Sequence, residues 1–389
     1  MTSRTENHIR ERSHHHFWAA KQDAAQKAGQ NFAKCLAVLL LAFPYLVFPP
    51  AVTALFLLAV SAIGIGLGLR HRTFSIDILW VFFLVMFGST IIAFNSGART
   101  EYIIVQANHF WQFFILFGGA VSIFRLMDLA AFLREKLTRR LLILSSAITV
   151  SYSFYAFGAL HEFSPNLLFL LISYILLARI NFTAVVMLVI ISAIFISTSR
   201  SSPLIVIAIL AFVWAFNPRL GVVKALVAII VFGPVIIYLS LGTEVLTTLI
   251  TLDHNSYIRA EFIRAASSTL KDYMLTGVGF GTSYRPLVFP YLSDHILLID
   301  PRAMNIVSNH HSFFDTAYRL GIPAAFILYY RLFIAPHGPH IGKMIKFIML
   351  TLAVGMSLNA WFENQAQLPI VALFAAVIVS VNRVKYVYQ

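Results

Sequence analysis

The chain has 389 residues, 59% of them hydrophobic and only 12% charged, with a mean hydropathy of +0.81. Soluble domains carry about a quarter charged residues, so this composition excludes an ordinary soluble fold. Apolar runs of 14 to 22 residues point to a polytopic helical membrane protein, and the short alternating segments of a spanning barrel are missing. A net charge of +13 would suit nucleic acid, but its distribution along the chain argues for a membrane surface instead.

Residues 1–33 are polar and mixed in charge. They lack the apolar core of a signal peptide, so the first span is expected to stay as an anchor behind a cytoplasmic tail. The run His14-His15-His16 has no cysteine or carboxylate cluster beside it, which makes a plain tail the better reading than a metal site. Twelve spans are predicted, at 34–48, 51–69, 73–94, 108–125, 141–158, 166–180, 182–199, 203–216, 225–242, 312–330, 344–360 and 367–382. The single cysteine, Cys35, cannot form an internal disulfide and reads as a packing residue at the start of span one. The segment 125–140 alternates Arg125, Arg134, Lys136, Arg139 and Arg140 with Leu and Phe, as an interfacial helix on anionic lipid would.

Orientation follows from Lys and Arg. With the N-terminus inside, 21 of the 29 fall on the cytoplasmic side. The other eight are Arg99, Arg200, Arg259, Arg264, Lys271, Arg285, Arg302 and Arg319. Both termini are therefore expected in the cytoplasm, with residues 383–389 as a short second tail. The expected fold is an all-α integral membrane protein of about twelve transmembrane helices. Spans one to nine occupy 34–242, a large outer loop domain 243–311, and spans ten to twelve 312–382. An ordered connection of that length is usually functional. It holds a helix-like stretch at 255–275, followed by Gly277-Val278-Gly279-Phe280-Gly281. That glycine run follows no strand and opens no helix, so it reads as a turn rather than a phosphate loop.

Candidate chemistry gathers on the outer side. Span eight, with 14 residues, measures about 21 Å as a helix, short of the ~30 Å hydrocarbon core. The turn Ser199-Arg200-Ser201-Ser202 before Pro203 should therefore sink below the surface. Arg200 then lies at membrane depth, where an arginine is either functional or snorkelling from a helix end. Its guanidinium suits a phosphate in two-pronged fashion. Arg259 and Arg264 are five residues apart, roughly 140° around a helix, and so do not address one ligand atom. Glu261 can pair with Arg264, which makes Arg259 the better anion ligand, against the plainer reading of a solvated loop arginine. Arg285 and Arg319 are further outer cations for a substrate. The doublet His310-His311 precedes span ten, and Asp315 one turn later could orient an imidazole and raise its basicity. No third ligand with suitable spacing supports zinc. The spans hold almost no acids apart from Asp77 and Asp315, which weakens an ion-coupled transporter. Arginines and a histidine at one outer face suit a phosphate-bearing lipid donor and a hydroxyl acceptor.

These residues carry a resemblance to the O-antigen ligase and O-antigen polymerase superfamily of bacterial polytopic glycosyltransferases, GT-C-like in layout. The resemblance lies in the twelve spans, the outer loop between spans nine and ten, and three motifs within 197–321. The first is a small-polar turn, Ser197-Thr198-Ser199-Arg200-Ser201-Ser202. The second is Arg259 opening a loop helix that runs to Gly277, Gly279 and Gly281. The third is His310-His311-Ser312-Phe313-Phe314 followed by Gly321. Two departures stand out: His311 replaces the usual Asn, and Arg319 stands where many members have a glutamate. The resemblance implies that Arg200 and Arg259 bind the pyrophosphate of an undecaprenyl-linked glycan and that His310 activates the acceptor hydroxyl. Arg264, His311, Asp315, Arg285 and Arg319 become candidate substrate contacts. It implies an inverting transfer without metal or cofactor, at the periplasmic face of the bacterial inner membrane. The acceptor would be lipid A-core for a ligase or a growing polysaccharide for a polymerase. A lipid-linked oligosaccharide flippase is the alternative from another class, and a scaffold subunit of an envelope complex a third.

Overall fold

A computed structural model of the chain describes residues 24–43, 47–74, 76–95, 97–98, 100–157, 165–177, 209, 213, 216–241, 269–282, 311–334, 342–358 and 368–380. Among them every regular element is helical. Helix α1 covers 24–41. It is followed by α2 (Pro50–Arg70), α3 (Ile76–Asn95), α4 (Thr100–Phe124), α5 (Leu129–Arg134), α6 (Lys136–Phe157), α7 (Pro165–Leu177) and α8 (Leu220–Leu241). The C-terminal part holds α9 (Ser312–Leu320), α10 (Ile322–Tyr329) running into a wider π-helical turn (Tyr330–Ile334), α11 (Lys343–Leu358) and α12 (Leu368–Ser380).

Two of these helices, Ala51–Arg70 within α2 and Thr100–Phe124, are long and apolar enough to cross a bilayer. They use that apolarity differently. Only 28% of the apolar window of α2 is buried against 72% for α4. Leu55, Ile63 and Leu69 face outward from α2, as lipid-facing residues do. Helix α4 is instead the centre of the bundle, with α2 and α12 as its main neighbours. Phe110, Phe113, Phe114, Phe117 and Phe124 are all buried along it, and Phe113 and Phe117 stack at 5.8 Å.

Small residues set the α2–α4 distance. A Cβ on Gly119 would fall 2.5 Å from Ser61 Cα, and one on Gly64 would lie 2.9 Å from the Gly119 carbonyl. Without a hydrophobic force between helices in lipid, such close backbone approach is what holds them together.

Contacts across the bundle sort into two ends. At one end Lys34 meets Glu135 at 2.6 Å, Arg125 donates to the Thr73 carbonyl at 2.9 Å, and Lys346 donates to Asn217 at 3.1 Å. The charge-bias reading assigns all of these to the cytoplasmic side. At the other end Asn166 Nδ2 reaches the carbonyls of Leu41 and Phe43 at 2.8 and 2.6 Å, closing the end of α1.

Four expectations need revision. Helix α4 begins at Thr100, so residues read as outer loop up to 107 are already helical. The segment 125–140 is not one interfacial helix. Asp128 caps the short α5 through the Ala131 amide, and Glu135 separates it from α6. Span ten is broken at Gly321. Cys35 faces outward rather than into the packing.

The α2–α4 crossing gives a direct test. Gly119→Ala should lower the thermal midpoint in detergent, because overpacking costs about 1–3 kcal/mol. Gly66→Ala, with nothing within 4 Å, should leave it unchanged or raise it.

Candidate functional site

Helix α9 is built from its cap inward. His311 has an extended backbone (φ −129°, ψ 103°) and its Nδ1 accepts the Phe314 amide at 3.2 Å, which is the N3 donor that a helix start leaves open. All nine residues of the helix are buried. Its polar side chains therefore face protein. The Thr316 hydroxyl donates to the Ser312 carbonyl at 2.7 Å and lies 3.4 Å from the Tyr329 hydroxyl. Phe313 packs edge-on against Phe232 and Tyr329, at 4.9 and 5.1 Å.

The helix stops because the sequence reads Gly321-Ile322-Pro323. Proline has no amide hydrogen, so the carbonyl four residues earlier, that of Arg319, loses its helical donor. Gly321 takes φ +87°, which turns the chain and directs the Ile322 amide away from Tyr318. It donates to the Met274 carbonyl instead, at 2.9 Å. Two carbonyls at the end of α9 are thus left open, and the glycine run fills both. Val278 N–H donates to the Tyr318 carbonyl at 2.8 Å and Gly279 N–H to that of Arg319 at 3.1 Å. The Ser89 hydroxyl of α3 adds a second donor to Arg319, at 3.3 Å.

Such pairing demands very close backbone contact, and the glycines supply it. All three have positive φ, between +67° and +85°. A Cβ at Gly277 would sit 2.5 Å from the Arg319 carbonyl group, one at Gly279 2.6 Å from the Ala93 nitrogen, and one at Gly281 2.7 Å from the Ile103 nitrogen. The loop is threaded between α9, α3 and α4. Between the glycines, Val278 and Phe280 are buried, and Phe280 packs on Phe110 at 5.1 Å. The Gly281 amide donates to Gln106 Oε1, and that of Gly277 to the Tyr273 carbonyl at 2.8 Å. With the amides of Gly277, Val278, Gly279 and Gly281 engaged by protein acceptors, the run is the turn its context suggested.

Of the expected site residues, His311, Asp315 and Arg319 are described here. Arg200, Arg259, Arg264, Arg285 and His310 lie outside the described residues. Expectation put all three of the former at the substrate. The structure gives each a partner within the protein. Arg319 is 0% exposed. Its Nη1 donates to the Thr282 carbonyl and its Nη2 lies 3.9 Å from Asp315 Oδ1. Asp315 is buried one turn above it. His311, also buried, caps the helix.

A family model described as O-antigen ligase matches residues 182–329. That segment belongs to the O-antigen ligase/polymerase superfamily. No curated protein and no solved structure matches the chain. The matched segment includes Arg200, Arg259, the glycine run, the histidine doublet, α9 and α10. Its tertiary setting draws on residues outside it, namely Ser89, Ala93, Ile103 and Gln106. Sequence reasoning missed these four. Gln106 had a visible signal, since a glutamine at the mouth of an apolar run needs a partner; Ser89 had none.

Burial pushes the His311 imidazole down to about 4, against smaller opposing effects of its own backbone and of Asp315. The unfolded chain takes up this proton near pH 6.5, the folded one only near 4. Stability is therefore full above 6.5 and falls as pH drops through that window, by up to ~1.4 kcal/mol per unit. His311→Asn keeps a capping acceptor and removes the proton. Its thermal midpoint should fall less than that of the wild type between pH 7.5 and 5, and equal slopes would contradict this origin. Gly279→Ala should abolish stable folding, since it combines a forbidden φ with a backbone clash; a normally behaved protein on size-exclusion chromatography would refute the threading.

Proposed function

We propose that this protein transfers a glycan from undecaprenyl pyrophosphate to an acceptor hydroxyl at the periplasmic face of the inner membrane, with lipid A-core as the acceptor. The observation that carries this reading is that the family match spans residues 182–329, from before Arg200 to the end of α10. It thereby takes in every residue to which the arginine and histidine motifs assign chemistry.

In the proposed reaction the acceptor oxygen attacks the anomeric carbon from the face opposite the diphosphate. A new glycosidic C–O bond forms as the bond to the diphosphate breaks, with inversion. The acceptor proton passes to His310. Undecaprenyl diphosphate leaves with the bonding electrons, and Arg200 and Arg259 stabilise its charge where it develops. Arg264 and Arg285 are secondary contacts to the donor.

The cap geometry favours His310 over His311 as the base. His311 Nδ1 accepts the Phe314 amide, which leaves the ring proton on Nε2 and no lone pair to receive another. His310 stands one residue before the cap in the chain.

The donor chemistry is common to a polymerase of O-antigen or exopolysaccharide, so the product decides between the two. Purified protein is reconstituted with an undecaprenyl-pyrophosphate glycan and candidate acceptors. A single attachment to lipid A-core is expected; a ladder on the carrier lipid would make the protein a polymerase. His310→Ala should lower turnover by about 100-fold or more at unchanged expression. Arg200→Ala or Arg259→Ala should reduce kcat/KM by a similar factor. Activity should survive a chelator, and dependence on added divalent ion would contradict the mechanism.

A further inference from the structure

We infer that Arg319 is a positioning residue for the reaction proposed above, on which this inference rests, and not a contact to its substrate. It ties the residue that opens the segment 283–310 to the helix that closes it.

Thr282 and His311 flank this 28-residue segment, which carries Arg285 and His310. Both flanks are joined through one side chain. The Arg319 guanidinium donates to the Thr282 carbonyl with one nitrogen and faces Asp315 Oδ1 at 3.9 Å with another. Asp315 in turn donates its amide to the His311 carbonyl at 2.9 Å. The Arg319 carbonyl fastens the same helix to the glycine run and to α3, through Gly279 and Ser89. Holding the ends of a segment together removes much of its conformational freedom. A catalytic group displaced by ~1 Å can lose about 100-fold in rate, so a rigid helix that begins one residue after His310 in the chain bears directly on the proposed turnover.

The planar fork matters as much as the charge. A guanidinium serves a carbonyl and a carboxylate at once in fixed directions, whereas an ammonium is a compact point charge on a flexible stem. A glutamate, expected at this position from the superfamily resemblance, has no proton to donate to a carbonyl when ionised. The tie therefore needs a donor such as arginine at this position.

The test uses full-length protein in nanodiscs with Arg319→Lys, Arg319→Met and Asp315→Asn. Hydrogen–deuterium exchange at the Val278 and Gly279 amides reads the tie without any turnover. Loss of the clamp should speed it about tenfold in Arg319→Met and about threefold in Arg319→Lys. Wild-type exchange in both would overturn the inference. Should Arg319→Met fail to fold, Arg319→Lys and Asp315→Asn carry the test, and faster exchange is expected in each. Kinetics with the undecaprenyl-pyrophosphate glycan form the second arm. In Arg319→Lys, kcat should fall by about tenfold with KM unchanged. A raised KM with unchanged kcat would make Arg319 a substrate contact instead. An inactive wild type would defeat the glycosyltransferase reading, and exchange would still decide the tie.

Discussion

The structure depends on an exchange of backbone hydrogen bonds at the break between α9 and α10. Gly321 and Pro323 interrupt a helix at the end of the wholly buried α9, where every peptide group needs a partner. The carbonyls of Tyr318 and Arg319 receive the amides of Val278 and Gly279, and the Ile322 amide finds the Met274 carbonyl. Each half of the break is completed by the same short loop. Neither piece could be buried as it is without the other.

This exchange governs what the site can do. Discontinuous helices in transporters leave their ends open towards an ion or substrate. Here the end of α9 is filled by protein amides, and the second donor to Arg319 comes from Ser89 in α3. The break thus serves to anchor a short, wholly buried helix that His311 caps. His311 is absorbed into that helix as its cap, while His310 lies just beyond it in the chain. The buried Asp315–Arg319 pair is consistent with the same role, because a buried charge persists only when it is paired or hydrogen-bonded.

The rest of the bundle supplies a stiff frame for this joint. Helix α4 packs against α2 through glycine and serine, with backbones in close approach, and against α12 through an almost wholly apolar face. Its first turns also bear Gln106, which accepts from Gly281, and Phe110, which packs at a tilt against Phe280. The central helix therefore touches the loop directly. Elsewhere in the bundle, Lys34 with Glu135 and Arg125 with Thr73 fasten the basic end, where Arg134 and Lys136 are exposed.

Much of this protein was legible in one dimension. Hydropathy, the scarcity of charge and the Lys and Arg bias determined a helical membrane fold, because the cost of polar groups in lipid leaves few alternatives. The arginine, glycine and histidine motifs pointed to the superfamily, and the family match covers the residues that carry them. Even the break could have been read, from Gly321-Ile322-Pro323. Its consequence could not. Which donors reach the Tyr318 and Arg319 carbonyls, why Gly279 must lack a Cβ, and whether Arg319 faces substrate or protein are matters of distance between segments far apart in sequence. Ser89 and Arg319, 230 residues apart, meet only when the bundle has closed. Local patterns specify which peptide groups are left without a partner, and only tertiary packing decides who satisfies them.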